Sequence, residues 1–399
     1  MALAAIALVV LIGFVALAVD VGLLWSQRRQ MQTAADASSN AGATALRYNQ
    51  NYKSAAADTL KLNGFSDGVN GVTVAVNNPP SRGAYSGNVS YVEVVVQQPE
   101  PTYFLRVLGY NTVNVSARAV SSSITSPNCI YALDPSASGA VHTDGGDVLT
   151  STCGLIVDSN SSTAITSDGS VTATSVGVVG GYSGTVKVSA GGKSGTVTTG
   201  IAALGDPLAY VQAPTVGSCN PTYPTGVNLS TGSLTLNPGT YCGGFTVSNS
   251  ASLHLNPGTY VLKGGGINLS GNSSLTGTGV TIYNTGTSST YKPISMLNDN
   301  GTVDLSAPTS GSLTGILFFQ DRSITSTAAN VLGGGAGKLE GALYFPTTPI
   351  LLNAGQSTNA AYTIVVAKTI NIQTNAFSIN NNYSSLSGGS PIKSTALYE

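Results

Sequence analysis

The sequence predicts an α+β protein in three parts: a long N-terminal hydrophobic helix over 1–62, a small α/β head over 63–125, and an all-β domain over 126–399. Three observations predict it. Residues 1–25 are an almost unbroken apolar run in which Asp20 alone is charged. Residues 64–123 switch to the period-two alternation of half-buried strands. Beyond residue 128, short β-branched stretches are punctuated by Gly, Asn and Ser, and one eight-residue phrase recurs.

The apolar run comes first. At about 1.5 Å per residue, a helix of this length would reach across the ~30 Å hydrocarbon layer of a bilayer. No basic residue precedes it and no A-x-A site follows it, so it does not read as a cleaved signal peptide. The polar stretch 26–32 leads without Gly or Pro into an alanine-rich segment, and one continuous helix is expected to leave lipid, or an equally apolar assembly, for water. Ala34, Ala37, Ala41 and Ala45 line one face at spacings of three and four. Such a face serves close packing in a filament or against the protein's own sheet, or reflects no more than alanine's helix propensity. A break is expected near Gly42 or over 48–52.

The run continues into Ala18-Val19-Asp20-Val21-Gly22, then Arg28-Arg29-Gln30-Met31-Gln32-Thr33-Ala34-Ala35-Asp36-Ala37 and Ala41-Gly42-Ala43. This pattern resembles the N-terminal signature of TadE/TadG-like proteins of the Tad (Flp) pilus-assembly system. The resemblance implies a pilin-related protein of the bacterial envelope with a pilin-like head. Its helix would be held in the inner membrane before assembly and would pack among copies of the same chain in an extracellular filament afterwards. Type IV pilins carry a glutamate at the fifth mature position, where this chain has Ala5, so a processed start at Met1 stays open. On this reading Met1, Asp20, Arg28 and Arg29 are the assembly residues. An intramembrane carboxylate is costly unpaired, and Asp20 could meet the amino terminus or a neighbour's Arg28 or Arg29 and so set axial register. The alternative is a hydrated Asp20 at the membrane interface.

Bulk composition narrows the partners. Charged residues are 8% of the 399 and the net charge is -1, which gives no electrostatic basis for binding nucleic acid. Cys129 and Cys153, and likewise Cys219 and Cys242, lie about two dozen residues apart, with no C-x-x-C and only two histidines. A zinc site is a poor fit. Two local disulfides, Cys129–Cys153 and Cys219–Cys242, are favoured among the three possible connectivities, and they imply an oxidising compartment. No cofactor is expected.

In the head, strands are expected at 72–76, 91–96 and 113–120, with a short helix from Pro101 to Leu108 ending at Gly109. In the last region, Leu-Thr-Leu-Asn-Pro-Gly-Thr-Tyr ends at Tyr241 and its near copy at Tyr260, with a looser copy ending at Tyr283. A period near 20 residues suggests a parallel β-solenoid in which Leu234, Leu253 and Leu275 form an internal ladder. An antiparallel sandwich is the alternative.

The chemistry expected here is sparse. Asp299, Asp304 and Asp321-Arg322 are the best constellation for glycoside hydrolysis, but isolated aspartates in such a chain are more often turn formers. Asp144 and Asp147 have the same bland reading, with weak calcium binding as the sharper one. His254 is expected to face outward. The function expected is a structural, non-enzymatic filament subunit. The alternative is a membrane-anchored assembly or adhesion factor whose β-domain binds a surface or a glycan.

Overall fold

The computed structural model describes residues 2–48, 50–297, 301–333, 336–353, 360–374 and 376–398. Two units emerge, Met1–Thr125 with Lys393–Glu399, and Ser126–Ile392.

In the first unit, helix α1 runs unbroken over Ala2–Arg47. Its buried side chains, Met31, Ala34, Ala35, Ser38, Ser39 and Ala43, recur at helical spacing and pack on a sheet through Val92, Val94, Val96, Ala117 and Ala119. Of the expected stripe, Ala34 is in this contact, whereas Ala37 and Ala41 are half-buried outside it, so the sheet-facing side is rotated from Ala34, Ala37, Ala41 and Ala45 toward Ala35 and Ala43. Gly42 marks the closest approach, because a Cβ there would lie 3.0 Å from Val92 Cγ1. The chain breaks after Arg47, and Asn51 opens α2 (Tyr52–Leu62) by accepting from the backbone N–H groups of Lys53 and Ser54, an N-cap. Helix α2 buries Ala56 and Leu60.

The sheet has four antiparallel strands in the order β1 (Thr73–Asn77), β2 (Tyr91–Pro101), β3 (Thr112–Thr125) and β4 (Lys393–Leu397). The first three follow the alternation in the sequence. The fourth does not, and it moves residues 393–397 out of the expected 126–399 region and into the head. The expected helix over Pro101–Leu108 shrinks to a single 3-10 turn, Leu105–Leu108, because β2 continues to Pro101. Gly109 ends that turn in the left-handed conformation, φ 91°. Inside the sheet, Glu93 has no exposed surface. It accepts from Arg118 Nε at 2.6 Å, Asn77 Nδ2 at 2.8 Å, and Ser81 N and Oγ at 2.9 and 2.7 Å. Burial opposes its charge, but these donors prevail and hold its carboxyl down to about 2.

The second unit is built mainly of parallel ladders, beside the antiparallel pairing of Tyr182–Ala190 with Lys193–Gly195, which removes the antiparallel sandwich as a description. One ladder stacks Ser233–Leu236, Ser252–Leu255, Ser274–Thr278 and Thr302–Ser306, and its register sets Leu234 beside Leu253 and Leu253 beside Leu275. A second begins Val227–Leu229, Phe245–Val247, Ile267–Ser270. In the third, Gly239–Cys242 pairs with Gly258–Lys263, but Gly239 faces Tyr260, two residues away from the register of the sequence repeat. A two-residue slip keeps every side chain on its own face, so the core survives it. Tyr241 and Tyr260 are both buried and stack at 6.0 Å, and each hydroxyl returns to the carbonyl of its repeat's Asn, Asn237 or Asn256.

Chain order and stacking order differ. The chain enters mid-stack, where Asn128–Ala132 pairs with Thr363–Ala367, and then builds outward through Gly154–Val157 and Val176–Val178. It returns along 200–226 to start the other half at Val227. Arg322 fastens that return segment, donating to the carbonyls of Val211 and Leu208 at 3.0 and 2.8 Å. The Cys129–Cys153 and Cys219–Cys242 disulfides are both formed. The first ties adjacent layers, and the second pins the return segment beside Thr240 at one end of the stack. Entry and exit lie together, with Ser126 N donating to Ile392 O at 3.1 Å, so the unit is an insertion between β3 and β4 of the head.

The expectation of a membrane-crossing helix is not supported. Among the described residues, no helix is long and apolar enough to cross a membrane. The loop between β2 and β3 lies against α1 around Gly13, Ala16 and Leu17.

Candidate assembly surface on the N-terminal helix

Asp20 ties the loop between β2 and β3 to α1. Its side chain is 2% exposed, and its carboxylate accepts three backbone N–H groups, from Tyr103 at 3.0 Å, Phe104 at 2.8 Å and Leu105 at 2.7 Å. These are donors at the start of the 3-10 turn that have no partner within it, so Asp20 caps that turn from another element. Burial would push its carboxyl up, but the bonds from Leu105, Tyr103 and Phe104 together hold it below its ordinary value. Asp20 thus has partners within its own chain, and they are backbone amides rather than arginines.

Arg28 and Arg29 lie on the same helix, exposed. Arg28 borders a shallow cleft with Leu24, Trp25, Asn114 and Val115. Met1 lies outside the described residues. Asp20 and the two arginines are therefore on one helix but not joined to each other.

Once Asp20 is capped, apolar surface dominates what remains open. On α1, Phe14, Val15, Val19, Val21, Leu23 and Trp25 are exposed, Phe14 and Trp25 by 68% and 66%. Beside them the loop presents Tyr103, Phe104, Val107, Leu108 and Tyr110, with Val107 84% and Leu108 71% exposed. Phe104, Leu105, Val107 and Leu108 join Gly13, Ala16 and Leu17 around one small hollow. Contiguous exposed apolar surface of this kind marks a contact site. The sequence reading missed the loop. Its signal was the apolar cluster Tyr103-Phe104-Leu105 and Val107-Leu108 around a turn that a small head has no core volume to bury.

Family comparison agrees with this region. Residues 1–45 match the family described as Flp pilus-assembly TadE/G-like, and residues 28–121 match the Tad-like Flp pilus-assembly family. Together the two matches cover residues 1–121. No curated protein and no solved structure matches the chain. The two matches together span α1, α2, β1, β2 and most of β3, ending before the inserted unit.

The other candidate positions carry less chemistry. Asp321 accepts from Thr285 Oγ1 at 2.6 Å and from Ser323 N at 2.9 Å, as a turn former does, and Arg322 is committed to the return segment. Asp304 is on an outward rung between Thr276 and Lys338, and Asp299 lies outside the described residues. His254 faces outward toward Thr276 Oγ1 at 2.9 Å. Asp144 contacts His142 Nε2 at 3.0 Å, and among the described residues no cluster of acidic, His or Cys side chains could hold a metal.

Proposed function

We infer that this protein is a structural subunit of a Tad-like bacterial surface filament, polymerising through α1, with the second unit displayed as a parallel β-solenoid. The observation that carries the reading is the coincidence of the Tad match with an α1 whose later turns pack on its own sheet and whose stretch from Phe14 to Trp25 leaves apolar side chains open. Helices with such faces associate by excluding water from them. A contact between unlike faces of successive copies does not close and yields an open polymer. Asp20 contributes by holding the Tyr103–Leu105 backbone against α1, which gives each copy the same apolar outline. The two disulfides suit a unit exposed in an oxidising extracellular setting.

The test is electron microscopy of material sheared from cells, with mass spectrometry of its subunits. Regular filaments made mostly of this chain support the reading. Recovery of the chain only as detergent-dependent monomers in the membrane fraction would sink it, and would favour an anchored assembly or adhesion factor whose β-domain binds a surface or a glycan.

A further inference from the structure

The stack of the second unit is finished differently at its two ends. At one end the outermost strands carry the guards that sheet edges commonly have. Tyr182–Ala190 shifts register between Gly184 and Val186, folds back on Lys193–Gly195 as an antiparallel hairpin, and leaves Lys187 and Lys193 exposed. The opposite end has none of these. From residue 207 to residue 262 the chain contains no Asp, Glu, Lys or Arg. The return segment covers the edge of the third ladder there, with Asn220 N donating to Thr240 O at 2.7 Å beside the Cys219–Cys242 disulfide. The other two ladders end uncovered. Among the described residues, Ser233–Leu236 pairs only with Ser252–Leu255, and Val227–Leu229 only with Phe245–Val247. Their far edges present backbone N–H and C=O groups without a strand partner. The inner rows of side chains stop there too. Leu253 and Leu275 are buried, whereas Leu234, the last rung of that row, is half-buried, and so is Leu229 after Leu269 and Val247.

We propose that this charge-free end is an interface between two copies of the chain, in which Ser233–Leu236 of one copy pairs antiparallel with the same strand of the other. Three observations select a second copy as the occupant. Identical ends without charges meet without repulsion, and Ser233–Leu236 contains no Pro that would withhold a donor. A two-fold axis across the sheet brings this strand against itself antiparallel, and residues directly opposite then share a face. With the axis at Thr235, Leu234 lies opposite the second copy's Leu236 on the inner face, which supplies Leu234 with the rung it lacks. The third observation is the guarded hairpin at the other end. It leaves only like ends to join, so the contact closes at two copies, whereas a head-to-tail stack would need both ends open. This inference goes beyond the filament reading and does not depend on polymerisation through α1.

The test is hydrogen exchange of the full chain in detergent at rising protein concentration. The amides of Ser233–Leu236 that face away from Ser252–Leu255 should slow about tenfold once the concentration exceeds the dissociation constant by about that factor, while those of Lys193–Gly195 stay unchanged. Thr235→Lys puts like charges on either side of the axis and should abolish this concentration dependence. Retained protection of Ser252–Leu255 will verify that the variant's stack is folded. Covalent capture gives a second readout. All four native cysteines are in disulfides, so Thr235→Cys adds the only free thiol. Directly opposite residues of an antiparallel pair lie about 4.5–5.5 Å apart, within disulfide reach, so mild oxidation should yield a covalent dimer. Ser189→Cys, exposed at the guarded end, should not cross-link. The proposal is overturned if exchange at 233–236 does not depend on concentration, or if Thr235→Lys leaves that dependence intact. It is also overturned if a mixture of the two cysteine variants gives mainly the mixed disulfide, the product of a head-to-tail stack. Filaments are read separately in the sheared fraction, so the two readings fail independently.

Discussion

Neutralising Glu93 should flatten the acid dependence of the head's stability. The carboxylate is fully buried, bonded to Arg118, Asn77 and Ser81, and held to about 2 against an ordinary value of 4.5. A carboxyl whose pKa is lowered by folding stabilises the protein above its unfolded value, and that contribution is lost as pH falls from about 4.5 through about 2. At about 1.4 kcal/mol per unit, the full contribution is roughly 3 kcal/mol at neutral pH. In Glu93→Gln the shape is kept and the charge is gone, leaving Arg118 without its ion-pair partner. The assay is native-state hydrogen exchange of the Val92, Val94 and Val96 amides from pH 6 downward, corrected for intrinsic exchange. The wild type should lose protection between about pH 4.5 and 2, whereas the variant should start lower at neutral pH and fall much less over that window. An equal decline in both proteins would refute the assignment of Glu93 as the titrating group.

Asp20→Ala should remove the acceptor for the Tyr103, Phe104 and Leu105 amides, so their exchange should accelerate sharply while the β2 core amides stay protected; unchanged exchange would contradict the capping role. Leu253 is 1% exposed between Leu234 and Leu275, and Leu253→Ala should cost about 2–5 kcal/mol in chemical denaturation of the second unit. Replacing Cys219 and Cys242 by serine should cost roughly 3 kcal/mol and expose the return segment to limited proteolysis, which a mass map would place between Leu204 and Gly226. Replacing residues 126–392 by a short glycine linker should leave a folded head, because the insertion enters and leaves at one point; a head that unfolds on excision would show that the units are not independent.

The sequence by itself determined what depends on local order. The apolar run, the alternation in β1–β3, the cysteine spacing and the Leu-x-Leu repeat each require only neighbours along the chain, and each has its structural counterpart: α1, a sheet, two disulfides and parallel ladders. Tertiary structure decided what joins distant residues. Lys393–Leu397 became a head strand because β3 offered a partner to a segment with no alternation of its own strong enough to announce it. The second unit grows in both directions from its middle because parallel strands accept a neighbour on either edge, whatever the chain order. Asp20 read as an acid awaiting the amino terminus, a neighbour's Arg28 or Arg29, or interfacial water, because its partners are backbone amides 83 to 85 residues away, and amides carry no sequence signature. Hydropathy measured the length of the N-terminal run, but which of its side chains the β2–β3 loop meets, Ala16 and Leu17 among them, depended on contacts between residues far apart in the chain.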